Sequence, residues 1–149
     1  MRVGAMKEWA VVPLRLLIGF GFAAHGVAKL SRGPEKFAEI LTALGVPLPH
    51  VMAWVTSLTE LIGGVLVMVG AFVLPVSVPL TIVMLTAMFT VHLRYGFSAI
   101  KLLSANTAGA KFGPPGYEVD LLYIVGLLTL VLAGPGPFSV DEWRRRMKL

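Results

Sequence analysis

The stretch from Ile40 to Leu93 decides the fold, because Glu60 is the only formally charged side chain among its 54 residues, ILTALGVPLPHVMAWVTSLTELIGGVLVMVGAFVLPVSVPLTIVMLTAMFTVHL. About 20 apolar residues cross a bilayer as one helix, and the core of a soluble domain of this size cannot bury so long an apolar run. The whole chain of 149 residues has the same character, with 56% hydrophobic and 14% charged residues. Average soluble proteins carry about a quarter charged residues. The composition therefore indicates a membrane protein and excludes an ordinary soluble domain.

Four apolar stretches have the length of a membrane-spanning helix. We therefore predict an all-α fold, an integral membrane four-helix bundle that forms a single domain over residues 1–149. A very short link separates the second and third stretches, which predicts a tight antiparallel pair of helices. The four spans are predicted at about residues 9–30, 50–70, 74–93 and 117–134.

Two short amphipathic helices are predicted in the membrane interface. In the first connection, Pro34 suits the first turn of a helix, and apolar residues follow it at helical spacing. Near the C-terminus, Ser139 and Glu142 form a capping box, which predicts a surface helix at about residues 139–149. The second connection, residues 94–116, is long for a bundle loop, and loops of this length often act as lids or binding loops.

Cysteine content and charge exclude several functions. The chain has no cysteine, which excludes disulfides, thiolate nucleophiles, iron–sulfur clusters and c-type haem attachment. Its 13 Lys and Arg residues exceed its 8 Asp and Glu residues, but the basic residues lie at the termini and in loops, as in proteins that contact anionic lipid. We therefore predict the lipid bilayer as a partner and no nucleic-acid partner.

The charges give a preferred orientation in the membrane. Basic residues are equally frequent on the two sides of the predicted bundle, so the positive-inside rule does not decide by count. The dense cluster at Arg144–Arg146 favours both termini on the cytoplasmic side. The other basic residues counted on the side of the termini are Arg2, Lys7 and Lys148.

The titratable residues of the apolar stretches concentrate in one half of the membrane. An up-and-down bundle places the ends of the first and third spans and the start of the fourth on one side, and Glu60 lies roughly 15 Å into the second span. Ionisable groups in a membrane are costly and usually functional, so we predict a polar pocket there. The candidate catalytic residues are His25, Glu60, His92 and Glu118. The candidate ligand-binding residues are Arg15, Lys29, Arg94 and Tyr117.

Helical geometry also predicts an ion pair. Arg15, His25 and Lys29 fall on one face of the first span, at about 100° per residue. Because Glu60 reaches nearly the depth to which Arg15 can extend, we predict an Arg15–Glu60 pair near the middle of the membrane.

Each of these residues has an alternative, structural role. Lys29 can extend to the surface, and Asp120 and Glu118 can favour the positive end of a helix. Either histidine can hydrogen-bond a neighbouring carbonyl, and an Arg15–Glu60 pair can serve only to fix helix register. No HxxxH or HxxE spacing occurs, and we predict no metal site. The glycines expected to allow close helix approach are Gly19, Gly63, Gly64 and Gly70.

A set of short motifs resembles those of one family. They occur in order along nearly the whole chain: Arg15-Leu-Leu-Ile-Gly19, His25-Gly26, Lys29-Leu30, Phe37-Ala38, Leu44-Gly45-Val46-Pro47, Glu60-Leu-Ile-Gly63-Gly64 with Gly70, His92, Tyr117-Glu118, Gly134-Pro-Gly136 and Ser139-Val-Asp141. In these residues the chain resembles the DoxX family of small bacterial four-helix membrane proteins. The resemblance implies the bacterial inner membrane and respiratory-type redox chemistry. Family members serve as the membrane subunit of a thiosulfate:quinone oxidoreductase, and others assemble with superoxide dismutase and a sulfurtransferase.

The first functional hypothesis is therefore a quinone-linked membrane subunit of a redox complex. The two histidines would donate hydrogen bonds to a quinone carbonyl, while Glu60 and Glu118 relay protons and Arg15 and Lys29 compensate negative charge. The chain has no thiols or clusters, so a soluble or membrane redox partner, or a bound cofactor, would supply electrons. Whether the chain is an enzyme on its own stays open.

Three alternatives remain at this stage. The charged cluster could be the substrate site of a proton or small-anion transporter, with the second connection as its gate. The chain could instead be a non-catalytic membrane anchor for redox partners. A b-type haem held by His25 and His92 is the third alternative. A homo-oligomer is also compatible with the sequence.

Overall fold

The computed structural model describes residues 8–107 and 109–147, and three helices in this part of the chain are long and apolar enough to cross a membrane. The third of them ends in a π-helical turn, Met88–His92, followed by a 3-10 turn, Leu93–Tyr95. These three helices lie where three of the spans are predicted. They are α1 (Val11–Arg32), α3 (Pro49–Val69) and α4 (Val73–Ala87). Together with its two terminal turns, α4 forms one continuous helical segment from Val73 to Tyr95.

A fourth apolar helix, α5 (Glu118–Ala133), lies where the last span was predicted and packs against α1 and α4. Its 16 residues extend over about 24 Å, which is less than the roughly 30 Å of a bilayer's hydrocarbon core. The helix itself is therefore confirmed, whereas its crossing of the membrane stays a prediction.

Two short helices flank the long ones, as predicted. The first is α2 (Pro34–Ala43), with Pro34 at its first position, and the second is α6 (Val140–Met147). The last two residues of the predicted terminal helix, 148 and 149, lie outside the described residues, as do Arg2 and Lys7.

The all-α prediction is wrong in the second connection, which contains two antiparallel strands, β1 (Leu102–Asn106) and β2 (Gly109–Phe112). Each strand is short and rich in apolar and small residues, and the strands meet at Asn106 and Gly109 on either side of the turn. This pattern is typical of a β-hairpin. A flexible loop of this length leaves its backbone groups without regular partners, whereas the hairpin pairs them with each other.

The backbones of α1 and α3 lie almost in contact. A Cβ atom on Gly26 would lie 2.5 Å from the backbone nitrogen of Leu61, and one on Gly19 would lie 2.6 Å from both the Gly64 oxygen and the Met68 nitrogen. These contacts confirm the close approach expected at Gly19 and Gly64. They also fix an antiparallel register, in which Gly26 faces Leu61 and Gly19 faces the turn from Gly64 to Met68.

The buried core between the helices is small, and the outer surface is apolar. Many large hydrophobic side chains face outward, including Leu17 at 69% and Leu132 at 77% exposure. A soluble protein avoids such a surface, whereas lipid solvates it. The core between α1, α3, α4 and α5 contains Phe22, Val67, Leu80, Leu127 and Leu130.

Asp141 fastens α6 to the turn between α3 and α4. Its carboxylate accepts hydrogen bonds from the backbone N–H groups of Phe72 (2.9 Å) and Val73 (3.0 Å) at the start of α4. Its own N–H donates to the Gly70 oxygen at 2.9 Å. A carboxylate that accepts hydrogen bonds from the first N–H groups of a helix caps that helix. Asp141 therefore caps α4 and at the same time attaches α6 to it.

Replacing Gly64 with alanine is expected to destabilise the protein by about 1–3 kcal/mol. The added methyl group would meet backbone atoms of α1, which cannot move aside unless the two helices separate. Thermal unfolding of the purified protein in detergent micelles measures the effect. Gly113→Ala is the matched control, because the nearest neighbour of its added Cβ is a Leu103 side-chain atom at 3.4 Å. Equal unfolding midpoints for the two variants would contradict the backbone contact between α1 and α3.

Candidate functional site

A cavity of about 470 Å³ lies among α2, α3, α4 and the π-helical turn. This volume is in the range of small-molecule sites, which are mostly apolar with a few convergent polar groups. The cavity has this composition, because most of its lining side chains are apolar and three are titratable, namely Lys29, Glu60 and His92. The cavity is therefore the candidate functional site.

Lys29 and Glu60 form an ion pair at the cavity wall. Lys29 Nζ donates to Glu60 Oε2, and the Glu60 side chain is only 6% exposed. The ammonium also lies 4.8 Å from the centre of the Phe37 ring of α2, within the range of a cation–π interaction. An ionised carboxylate buried this deeply needs a counter-charge, and Lys29 supplies it.

His92 and Asp120 form a second polar pair beside the cavity. His92 Nδ1 lies 2.7 Å from Asp120 Oδ2, and the Asp120 side chain is 2% exposed. An ionised carboxylate only accepts hydrogen bonds, so with Asp120 ionised Nδ1 donates to it. The other ring nitrogen, Nε2, is then the one left for a ligand. Asp120 lies in the first turn of α5, where an acidic side chain favours the positive end of the helix, and it also orients His92.

The π-helical turn is the local feature that presents His92. It ends α4 and contributes Val91 and His92 to the cavity wall. A π-helical turn holds more residues than an α-helical turn, so it changes the direction of the side chains that follow, and such turns are frequent at functional sites. Nothing in the spacing of the apolar residues predicts this turn.

The cavity opens sideways, towards the outer surface of the helices. Three of its lining residues are also exposed outside, namely Ile40 (55%), Val55 (50%) and Ile82 (58%). In a protein whose outer surface contacts lipid, this opening allows an apolar molecule to enter from the bilayer. The α2 wall of the cavity was not predicted as part of the site, although the helical spacing of its apolar residues was the signal that could have shown it.

The predicted Arg15–Glu60 pair is wrong. The Arg15 guanidinium donates instead to backbone oxygens after the end of α5, at Pro135, Pro137 (3.4 Å) and Phe138 (3.4 Å). The reason is helix register. With Gly19 facing the turn from Gly64 to Met68, Arg15 lies opposite the end of α3, roughly 15 Å along the axis from Glu60. Arg15 thus binds the chain that follows α5, on the side of the termini and far from the cavity.

Four other predicted site residues lie outside the cavity lining. His25 is exposed on α1. The Arg94 guanidinium stacks 4.9 Å from the Tyr95 ring centre, and the Tyr117 ring contacts the Phe97 ring edge to face at 5.5 Å. The remaining residue, Glu118, accepts a hydrogen bond from the backbone N–H of Ala99 at 2.8 Å. Arg94, Tyr117 and Glu118 thus hold the base of the second connection. The structure brings together Lys29, Glu60 and His92 of the eight predicted residues.

Metal binding has no geometric support in residues 8–107 and 109–147. No three His, Asp or Glu side chains of this part of the chain converge as a metal site would require. The titratable side chains at the cavity form two pairs instead, each with one acid and one base, Lys29–Glu60 and His92–Asp120.

The chain is similar to several bacterial proteins. The family profile described as DoxX matches residues 10–93, more than half of the chain. An uncharacterized membrane protein of Mycobacterium tuberculosis is 29% identical over 89% of this chain and 80% of its own length. CatD of Bacillus subtilis, named as a candidate oxidoreductase, is 37% identical over 91% of this chain and 87% of its own. An uncharacterized protein of Haemophilus influenzae is 28% identical over 87% and 86%, respectively. No solved structure gives a significant match.

Removing one partner of the Lys29–Glu60 pair is expected to cost more stability than removing both. Glu60→Leu leaves the ammonium without its carboxylate and is expected to destabilise the protein by about 3 kcal/mol. Adding Lys29→Met should recover part of that loss. A double-mutant cycle on unfolding in detergent micelles measures the coupling.

Arg15→Met is the control for this cycle. Combined with Glu60→Leu it should add its own cost and recover nothing, because the hydrogen bonds of the Arg15 guanidinium within residues 8–107 and 109–147 go to the chain after α5 and not to Glu60. Recovery with Arg15→Met, or strict additivity with Lys29→Met, would contradict the pairing.

Proposed function

This chain belongs to the DoxX family of membrane proteins, and on that premise we propose that it is a membrane subunit of a redox complex that binds a quinone, or a small ligand of similar chemistry, in the cavity lined by Lys29, Glu60 and His92. The observation that carries the proposal is the combination of one lateral apolar opening with two acid–base pairs at one cavity. Quinones combine an apolar body with hydrogen-bonding carbonyl oxygens, and they reside in the bilayer.

The polar pairs fit the proton chemistry of a quinone. Its reduction takes up two electrons and two protons, and the protons need groups that exchange them inside an apolar site. With Nδ1–H held by Asp120, His92 in its protonated form would donate a hydrogen bond through Nε2 to one carbonyl oxygen. Glu60 would exchange protons with the other polar groups of the site, and Lys29 would balance negative charge. Lys29, Glu60 and His92 carry the proposal, and Asp120 supports it because it positions His92.

Electrons must reach the site from elsewhere. The chain has no cysteine and hence no thiol or cluster ligand of its own, so we assign electron supply to a redox partner protein or a bound cofactor. The name of the relative CatD, a candidate oxidoreductase, supports this class of chemistry.

We further propose that α5 is the fourth span of a four-helix bundle in the bacterial inner membrane, with both termini cytoplasmic. Its packing against α1 and α4 supports this arrangement. Tyr117 and the residues after Ala133 extend the apolar segment at both ends, and a bilayer can thin locally around a short helix at modest cost. The cavity would then lie in the outer half of the membrane.

Replacing Glu60 or His92 with glutamine is expected to weaken quinone binding about tenfold or more. Each change removes a charged or hydrogen-bonding group from the site, and such a loss typically costs about 1.4 kcal/mol or more, which corresponds to about a tenfold loss of affinity. Titration of the full-length protein in detergent with a short-chain ubiquinone, followed by tryptophan fluorescence, measures the affinity. His25→Gln is the matched control, because His25 is exposed outside the cavity lining and should bind as the parent does.

Two outcomes would overturn the quinone proposal. One is unchanged affinity in the Glu60 and His92 variants, and the other is no saturable binding by the parent protein. In the second case, proton or anion flux into proteoliposomes that depends on Glu60 would favour the transporter. Loss of stability alone in these variants would favour the anchor.

A further inference from the structure

The β-hairpin of the second connection has one apolar and one polar face. The strand pairing sets residues opposite each other in register, and side chains of neighbouring residues in a strand point to opposite faces. The Leu102–Phe112 and Ala105–Ala110 pairs lie on one face, which is apolar. The other face carries the Ser104–Lys111 and Asn106–Gly109 pairs, with the bulged Leu103 beside Gly113.

An irregularity at Leu103 produces this separation. From Leu102 to Ser104 β1 advances by two residues, while β2 advances by one, from Phe112 to Lys111. A bulge of this kind adds one residue to one strand only. Without it, alternation would place Ser104 on the same face as Leu102. The bulge therefore sorts the hairpin into two faces.

The apolar face is uncovered in residues 8–107 and 109–147. Every described residue of both strands is exposed, with Leu102 at 59% and Phe112 at 57%, and Ile100 just before β1 is 75% exposed. An isolated two-stranded hairpin is marginally stable in water. Its apolar face therefore needs a covering surface.

The charge of this segment matches one such surface. From Arg94 through Tyr117, with both ends included, the chain carries three basic residues, Arg94, Lys101 and Lys111, and no acidic one. Backbone hydrogen bonds tie the base of the segment to the start of α5, from Tyr117 N–H to the Gly96 oxygen (3.1 Å) and from Glu118 N–H to the Phe97 oxygen (2.9 Å). The hairpin thus leaves the bundle between the end of the α4 span and the start of α5, where a bundle that spans the membrane would meet the lipid headgroups.

We propose that the hairpin docks on the bilayer, with its apolar face in the interface between headgroups and acyl chains and its basic residues on anionic headgroups. Trapping apolar area in this interface stabilises amphipathic elements, and each lysine near an anionic surface adds to the attraction. The same docking fixes the ends of α4 and α5, which carry His92 and Asp120.

A pair of cysteine variants tests the docking, since the chain has no cysteine of its own. Ala105 and Ser104 are exposed neighbours on opposite faces of β1. Each is replaced by cysteine in the full chain, labelled with the fluorophore NBD, and reconstituted in phosphatidylcholine vesicles with or without phosphatidylglycerol. Doxyl-labelled lipid quenches a label in the interface, and aqueous iodide quenches a label in water.

Docking predicts opposite results for the two labels. At position 105, doxyl lipid should quench severalfold more strongly than at position 104, and iodide severalfold less. Adding Lys111→Gln should reduce the effect of phosphatidylglycerol on the label at position 105, by about fivefold in the docked-to-free ratio. Parent-like thermal unfolding of both cysteine variants confirms that they fold.

Three results would overturn the proposal. Equal iodide quenching of both labels would show that the hairpin stands in water. Shielding of position 105 from both quenchers would show that protein covers the apolar face, and cross-linking between labelled copies would identify a second copy of the chain as the cover. Doxyl quenching that is the same at both positions would show that the two faces are not distinguished.

Discussion

The backbone contact between α1 and α3 is the constraint on which the rest of the structure depends. Without side chains at Gly19, Gly26 and Gly64, the two helices approach closely enough to fix an antiparallel register. That register places Lys29 beside Glu60. Dispersion contacts of this kind hold helices together in lipid, where the hydrophobic effect between them is absent. The ion pair is therefore a consequence of helix packing rather than its cause.

The Lys29–Glu60 and His92–Asp120 pairs each provide a buried carboxylate of the same cavity with a base. A lone carboxylate in an apolar site is costly, and a partner base lowers that cost while it keeps a proton available for exchange. Lys29 and His92 are the bases, and both remain partly exposed, at 24% and 27%, whereas their acids are buried. Lys29, Glu60 and His92 thus line the cavity, and Asp120 supports His92 from behind.

Polar residues at the opposite end of the molecule serve the fold. Arg15 binds the backbone oxygens that follow α5, and Asp141 binds the backbone N–H groups that begin α4. A helix end in a membrane protein leaves several backbone groups without partners, and water is scarce there to satisfy them. A buried ionisable residue near a helix end is therefore a capping residue as readily as a functional one, and the sequence does not distinguish the two.

Local sequence determined the class of the protein, the three long helices and the positions of α2, α5 and α6, because apolar runs, Pro34 and the capping box of Ser139 and Glu142 each depend on neighbouring residues alone. It also showed that Lys29, Glu60 and His92 are unusual for their surroundings. The tertiary structure alone decided which charges meet. Helix register comes from contacts between residues distant in sequence. Arg15 and Glu60 therefore match in predicted depth but lie far apart, and the contact between Asp120 and His92 is visible only in the tertiary structure. The hairpin was missed for the same reason, since its stability depends on cross-strand pairing and on a bulge that only the register reveals.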